Sequence, residues 1–304
     1  VPPPTDGKHS HIVEILIKER AQKLSKSHLW PVYRFLLNLI LGYGKAKHLV
    51  DNAGRMRPKE AFAFASGLMG IKLDVKGLEH VPKEGGFILA LNHPTGIADG
   101  LAAHDALAPV RPDAIVFVNG DAVRLNPLLT DKLIPVEWRS DKKSRAKSRE
   151  TLRASNKAFA EGRAIVLFAS GRLMWMDGKK NLHDQAWQSS VAALAKKYNV
   201  PIVPAHIRSR NSWLYYLLWN VNEELRDMTL FHELLNKQGQ TFKIRMKEPI
   251  FPDALLDDND AAAAELRAYV ATGIVEGQTL EEWRMAGGDA SWAPTPPPDK
   301  AKLQ

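Results

Sequence analysis

Residues 87–100 read Phe87-Ile88-Leu89-Ala90-Leu91-Asn92-His93-Pro94-Thr95-Gly96-Ile97-Ala98-Asp99-Gly100, and their reading decides the fold. Five successive apolar residues predict a strand buried on both faces, as in the middle of a parallel sheet. Pro94 and Gly96 supply a sharp reversal, and a helical pattern follows over residues 97–107. Open α/β sheets place their ligands outside the carboxyl ends of the strands, at corners of this kind. His93 falls at the strand end and Asp99 in the first helical turn. A carboxylate bonded to one imidazole nitrogen fixes the tautomer and frees the other nitrogen to take a proton from a hydroxyl. The bland alternative is a turn-capping His beside an Asp that complements the helix N-terminus.

Outward from this corner, strand-like runs are predicted at 71–75, 114–118, 133–136, 164–168, 202–207 and 242–246. Helical patterns at 142–159, 185–198 and 213–235 separate most of them. The alternation predicts an α/β fold: a mostly parallel central sheet flanked by helices, with a helical N-terminal segment. The expected organisation is a loose tail over 1–10, helices over 11–70, the α/β domain over 71–285 and a loose tail over 286–304. Both tails are rich in Pro, Gly and polar residues.

The chain has 304 residues, ample for a sizeable core, and 45% hydrophobic composition argues against disorder. It has no cysteine, which excludes disulfides, Cys-ligated zinc, iron–sulfur clusters and thiol nucleophiles. A net charge of +8 points to anionic partners: nucleic acid, anionic lipid, phosphorylated substrates or an acidic carrier protein. The opening Val1-Pro2-Pro3-Pro4 carries no signal-peptide pattern, and its missing initiator Met points to a trimmed or tagged start.

The Asn-His-Pro-…-Asp-Gly corner after a strand resembles the His–Asp motif of the glycerolipid (lysophospholipid) acyltransferase superfamily. Its commoner spacing has four residues between His and Asp; here five intervene, as in the hemolysin-type subgroup related to acyltransferases of ornithine-lipid synthesis. Three further blocks resemble the family's in order: Leu133-Ile134-Pro135-Val136-Glu137-Trp138-Arg139, Leu167-Phe168-Ala169-Ser170-Gly171-Arg172, and Val200-Pro201-Ile202-Val203-Pro204-Ala205-His206. Asp184-Gln185-Ala186-Trp187, Arg210-Asn211-Ser212 and the stretch from His232 to Lys237 are similar to the subgroup as well.

The resemblance implies an O-acyltransferase with His93 as general base and Asp99 orienting it. The acyl group would pass directly from an acyl carrier protein or coenzyme A thioester to a lyso-lipid hydroxyl, with no cofactor and no metal. Asn92, Thr95, Gly96, Arg139, Ser170, Gly171, Arg172 and His206 are the implied substrate-binding residues. In glycerol-phosphate members the third block carries Pro-Glu-Gly; here Ala169-Ser170-Gly171 lacks the carboxylate, which leaves an amino-acid lipid or another hydroxylated lipid at least as good an acceptor as a glycerol phosphate.

Two surface features extend this reading. Arg139, Lys142, Lys143, Arg145, Lys147, Arg149 and Arg153 form a basic run, either a solvated helix face or a dock for acidic carrier protein, coenzyme A phosphates or anionic headgroups. No nucleic-acid motif accompanies it, so nucleic acid falls away. Residues 30–41 and 213–219 mix Trp and Tyr with aliphatics; the first is expected to face a membrane and the second to be mixed. Peripheral attachment to the cytoplasmic face of a bacterial inner membrane follows, since no run is apolar enough to span one.

Gly42-Tyr43-Gly44 lacks both the third glycine and the preceding strand of a dinucleotide loop. His9 and His11 have no carboxylate cluster for a metal, and His104-Asp105 reads as structural. A non-catalytic lipid- or carrier-binding module on the same fold is the alternative to an enzyme. A serine hydrolase at Ser170 would lack the Gly-x-Ser-x-Gly elbow.

Overall fold

A computed structural model of the chain describes residues 11–137 and 144–292. Its centre is β2 (Phe87–Leu91), each of whose five residues is fully buried. The alternation of a strand sends Phe87, Leu89 and Leu91 into one core and Ile88 and Ala90 into another. A strand covered on both faces needs partners on both edges, and β2 is fourth of seven.

The remaining elements follow in chain order. Four helices come first: α1 (Ile12–Arg20), α2 (Trp30–Leu41), α3 (Tyr43–Ala53) and α4 (Pro58–Met69). Then come β1 (Lys72–Lys76), β2, α5 (Ile97–Leu107), β3 (Ile115–Asn119), α6 (Asp121–Leu125), β4 (Leu133–Val136), α7 (Arg145–Ala160) and β5 (Ala164–Phe168). A two-strand hairpin, β6 (Trp175–Met176) and β7 (Leu182–His183), precedes α8 (Ser190–Tyr198) and β8 (Ile202–Arg208). The chain continues through α9 (Trp213–Val221), α10 (Glu223–Met228), α11 (Leu230–Leu235), β9 (Thr241–Met246), α12 (Asn259–Ala271) and α13 (Leu280–Met285).

The sheet order is β1-β9-β8-β2-β5-β3-β4. β8, β2, β5, β3 and β4 run parallel to one another, while β9 pairs antiparallel with β8 and parallel with β1. This is the mostly parallel α/β sheet that the alternating pattern predicts. α7, α8 and α12 cover one face through Phe159, Val191, Ala195, Leu266 and Tyr269. α5 covers the other, together with Leu49 of α3 and Met69 at the end of α4.

The predicted boundaries differ from the structure at three places. The helix expected from residue 185 starts at Ser190, because Gln188 N–H donates to the Ala169 carbonyl (2.9 Å) and keeps that segment beside β5. The helix expected over 213–235 is three, interrupted where the Asn222 side chain turns back to cap Leu225 N–H (3.0 Å) and again at Thr229. The N-terminal segment is helical as expected, and its Val13, Leu16 and Val50 form a satellite core with Met228 and Phe231. Residues 286–292, expected to be loose, fold back, with a turn at Ala290–Trp292 against α12. Residues 1–10 and 293–304 of the expected tails lie outside the described residues.

α11 packs on α5 and brings an ion pair beside it. Glu233 and Lys237 are both buried, with Nζ 3.3 Å from Oε2. Glu233 also accepts from Ser212 N–H (2.8 Å) and the Ser212 hydroxyl (2.5 Å). Burial pushes the Lys237 ammonium down in pKa, and Glu233 opposes the shift. Removing one member leaves a buried charge alone, which costs about 3–5 kcal/mol, whereas an apolar pair of similar volume is often neutral. Glu233→Ala is therefore expected to lose about that much stability in urea denaturation, and Glu233→Leu with Lys237→Met to recover only the part due to the lone ammonium, because the Ser212 donors stay unpaired. Equal midpoints for Glu233→Ala and wild type would contradict this account.

Candidate active site

Parallel strands end together, so the carboxyl ends of β2, β5 and β8 form one ledge. His93 leaves the end of β2, and its ring stacks on Phe168 at the end of β5, with centroids 4.3 Å apart. The chain then reverses at Gly96, whose φ of +96° is a conformation that side-chain-bearing residues avoid. That reversal starts α5 and places Asp99 in its first turn, where a carboxylate complements the helix dipole.

Asp99 Oδ2 lies 2.9 Å from His93 Nδ1. The same oxygen accepts from Thr95 N–H (2.7 Å) and Gly96 N–H (2.9 Å), and the Thr95 hydroxyl donates to Oδ1. An ionised carboxylate only accepts, so Nδ1 carries the proton and Nε2 keeps its lone pair. The His93 side chain is 18% exposed while Asp99 is fully buried. The imidazole can therefore meet a substrate that its carboxylate partner never touches.

Of the other sequence-derived candidates, Thr95 and Gly96 hold Asp99. Asn92 is buried, and both ends of its amide engage the Ile207 backbone: Oδ1 accepts from N–H (2.7 Å) and Nδ2 donates to the carbonyl (2.9 Å). It clamps β2 to β8. The Ser170 hydroxyl donates to the Arg172 carbonyl (2.8 Å), and Gly171 adopts φ +63°. Together they shape a tight loop, whose continuation bonds Met174 N–H to the His93 carbonyl (2.9 Å). The Arg172 side chain is exposed at that loop. Arg139 lies outside the described residues, as do Lys142 and Lys143.

His206 is not brought to the His93 side. Along β8, Ala205 and Ile207 face the core that contains α5, and His206 points to the opposite face, toward α12. There His206 Nδ1 lies 3.1 Å from the Val270 carbonyl and donates to it. Burial pushes its imidazole down to about 4, so it is neutral near pH 7. It lines a cavity of about 70 Å³ with Asn92, Met174, His183, Asp184 and Arg267.

Sequence reasoning noted Asp184 within a family block but gave it no role. Its buried carboxylate accepts from the Trp187 indole N–H (2.7 Å), which explains the spacing of that block. Asn211, also noted only as part of a block, is buried with neither end of its side-chain amide partnered among the described residues. His104 and Asp105 are structural: His104 stacks on Phe62, and Asp105 accepts from Ser66. Among the described residues no group of three His, Asp or Glu side chains is placed to hold a metal ion.

An imidazole held in one tautomer by a buried carboxylate, at the carboxyl edge of a mostly parallel sheet, is the equipment of a group-transfer enzyme. Residues 18–272 match a family model described as acyltransferase, and the chain belongs to that acyltransferase family. It is similar to a lyso-glycine lipid O-acyltransferase of Phocaeicola vulgatus, 23% identical over 244 residues that span 75% of this chain and 85% of the relative. A protein of the same name from Bacteroides thetaiotaomicron is 24% identical over 185 residues, 59% of this chain and 66% of the relative. The crystal structure of the 1-acyl-sn-glycerophosphate (LPA) acyltransferase PlsC from Thermotoga maritima is 17% identical. It aligns over 88% of this chain and 98% of that chain, with a TM-score of 0.43.

Burial raises the Asp184 carboxyl to about 6, against the opposing Trp187 hydrogen bond and the Arg267 guanidinium. An acid whose folded pKa exceeds its unfolded value of about 4 keeps its proton longer when folded. Stability then falls as pH rises between the two, by about 1.4 kcal/mol per pH unit. Asp184→Asn removes this dependence. Its stability relative to wild type is expected to climb from about pH 4 to about pH 6, then level off. Parallel stability curves across that window would refute the assignment.

Proposed function

We propose that this acyltransferase moves a fatty acyl group from an acyl thioester to the hydroxyl of a lyso-aminolipid, with His93 as the general base. The observation that carries the reading is the His93–Asp99 pair, whose geometry leaves Nε2 as a proton acceptor at a partly open surface. The acceptor class is supported by the two relatives, each a lyso-glycine lipid O-acyltransferase. The absence of a carboxylate at Ala169-Ser170-Gly171 agrees with it.

In the proposed reaction His93 Nε2 takes the proton of the acceptor hydroxyl as its oxygen attacks the thioester carbonyl. The tetrahedral intermediate collapses with cleavage of the C–S bond, and the imidazolium returns its proton to the departing thiolate. The products are an ester and a free thiol. Asp99 stabilises the imidazolium without taking its proton, and three further donors hold the carboxylate in place. A chain without cysteine has no thiol nucleophile, which fits direct transfer.

The donor is an acyl carrier protein or coenzyme A thioester, and α7 is its proposed dock. Arg145, Lys147, Arg149 and Arg153 are exposed on that helix, although Lys147 pairs with Glu137 at 2.8 Å. The acceptor is reached at a membrane surface. α2 turns Val32, Phe35, Leu36 and Leu39 to solvent, Phe35 and Leu39 by 68% and 74%. α9 buries Tyr215 and Tyr216 but exposes Trp213, Leu217 and Val221. Single exposed apolar residues are ordinary; a row along one amphipathic helix is the mark of an interfacial one. Among the described residues no helix is long and apolar enough to cross a membrane, so the proposed attachment is peripheral, on the cytoplasmic face.

Two experiments test this reading. His93→Ala is expected to lower kcat for acyl transfer by about 10²–10⁴-fold with an unchanged melting curve; near wild-type turnover would sink the general-base assignment. Phe35→Asp with Leu39→Asp is expected to abolish cosedimentation with anionic lipid vesicles. Activity on detergent-dispersed acceptor should be kept, and unchanged vesicle binding would place the membrane contact elsewhere.

A further inference from the structure

The cavity that His206 lines lies on the opposite face of the sheet from Asp99, yet it adjoins the candidate active site. Asn92, one of its walls, immediately precedes His93, and Met174, another, holds the His93 carbonyl through its own N–H. Asp184, a third, is close enough to feel the charge of Arg267.

Arg267 is the unexplained group. It projects from α12 into the cavity, and its only hydrogen bond among the described residues is Nη2 to the Asp184 backbone carbonyl. No carboxylate lies within ion-pair distance of it among those residues. Burial works against the guanidinium's charge, with only Asp184 opposing. A half-buried guanidinium with most of its five donors unused is costly unless an anion completes it. Beside the cavity's His183, outside the lining itself, the Trp175 ring lies 5.0 Å away, and its buried indole N–H has no partner among the described residues.

We infer that this cavity is a subsite for the free carboxylate of the acceptor's amino-acid headgroup, with Arg267 as the residue that binds it. The inference rests on the lyso-aminolipid reading above and names the part of the protein that selects such an acceptor. The planar fork of Arg matches a carboxylate with two parallel hydrogen bonds. A volume of about 70 Å³ exceeds the need of one water and suits a small headgroup rather than an acyl chain. A carboxylate is favoured over a phosphate because the Asp184 carboxyl shares the wall. It would repel a dianion more strongly than a monoanion, and when protonated it can donate to a carboxylate. With the headgroup held behind the β2 end, the acyl part of the acceptor would extend past Asn92 toward His93.

The test uses the full chain and two probes below their micelle concentrations: N-dodecanoylglycine and its methyl ester. Binding is read by isothermal titration calorimetry. Wild type is expected to bind the free acid at least about tenfold more tightly than the ester, the discrimination expected of a desolvated charge-assisted pair. Arg267→Met should bring the ratio to about one. Arg267→Lys, which keeps the charge but loses the fork, should fall between. Equal binding of acid and ester by wild type overturns the proposal, as does a ratio unchanged in Arg267→Met. If Arg267→Met does not fold, the wild-type ratio and Arg267→Lys still decide it. Tighter, Arg267-dependent binding of dodecanoyl lysophosphatidate would overturn the carboxylate assignment in favour of a phosphate.

A parallel transfer assay with the 3-hydroxyacyl forms of both glycine probes separates the two readings. Arg267-dependent binding without transfer would fail the acyltransfer reading and leave the subsite standing. His93-dependent transfer to acid and ester at equal KM would do the reverse.

Discussion

The Asp99 carboxylate has no contact with water, and the corner between β2 and α5 is built around satisfying it. A buried carboxylate without donors would protonate or destabilise the fold. Here two successive backbone N–H groups, the Thr95 hydroxyl and the His93 ring all point at it. Those bonds require the chain to reverse at Gly96 with a positive φ and to start a helix within three residues. One charge thus fixes the loop conformation, the helix start and the imidazole tautomer together. The general-base role proposed for His93 depends on nothing more remote than this.

The second constraint is the step between Asn92 and His93. Consecutive residues at the end of a strand face opposite sides. Asn92 therefore works on the α12 side, closing β2 onto β8 through Ile207, and His93 on the α5 side. The same step explains why one ledge carries two polar sites, the His93–Asp99 pair and the Arg267 cavity. The opposite, amino-terminal edge of the sheet is tied by Arg111. Its guanidinium bonds the carbonyls of Pro82, Gly85 and Gly162 and pairs with Asp113. With every donor direction occupied, that arginine is structural, and the contrast with Arg267 shows how a completed guanidinium looks in the same molecule.

The motif corner was readable because its signals are local. An uninterrupted apolar run bounded by Pro and Gly permits only a buried strand that turns sharply, and the strands at 87–91, 133–136 and 164–168 are found where periodicity puts them. The helix expected over 213–235 failed because composition there is uniformly helical, while the capping of Asn222 is a matter of one side chain's rotamer. The start of α8 moved because a backbone bond to Ala169, distant in sequence, outcompetes local helix propensity. His206 was readable as the end of a block but not as a residue of the other face, since its direction depends on the register of β8 against β2 and β9.

By itself, then, the sequence determined the alternation of strands and helices, the adjacency of His93 and Asp99, and the absence of any thiol chemistry. Each of these depends on residues within a few positions of one another, or on composition. Tertiary structure alone decided that Asn92 clamps two strands, that Glu233 and Lys237 are buried beside α5, and that Arg267 from the last long helix faces a cavity behind His93. Those facts depend on which distant segments share a volume from which water is excluded. In that volume an unpaired charge must find a partner, and no local pattern of residues records which one it finds.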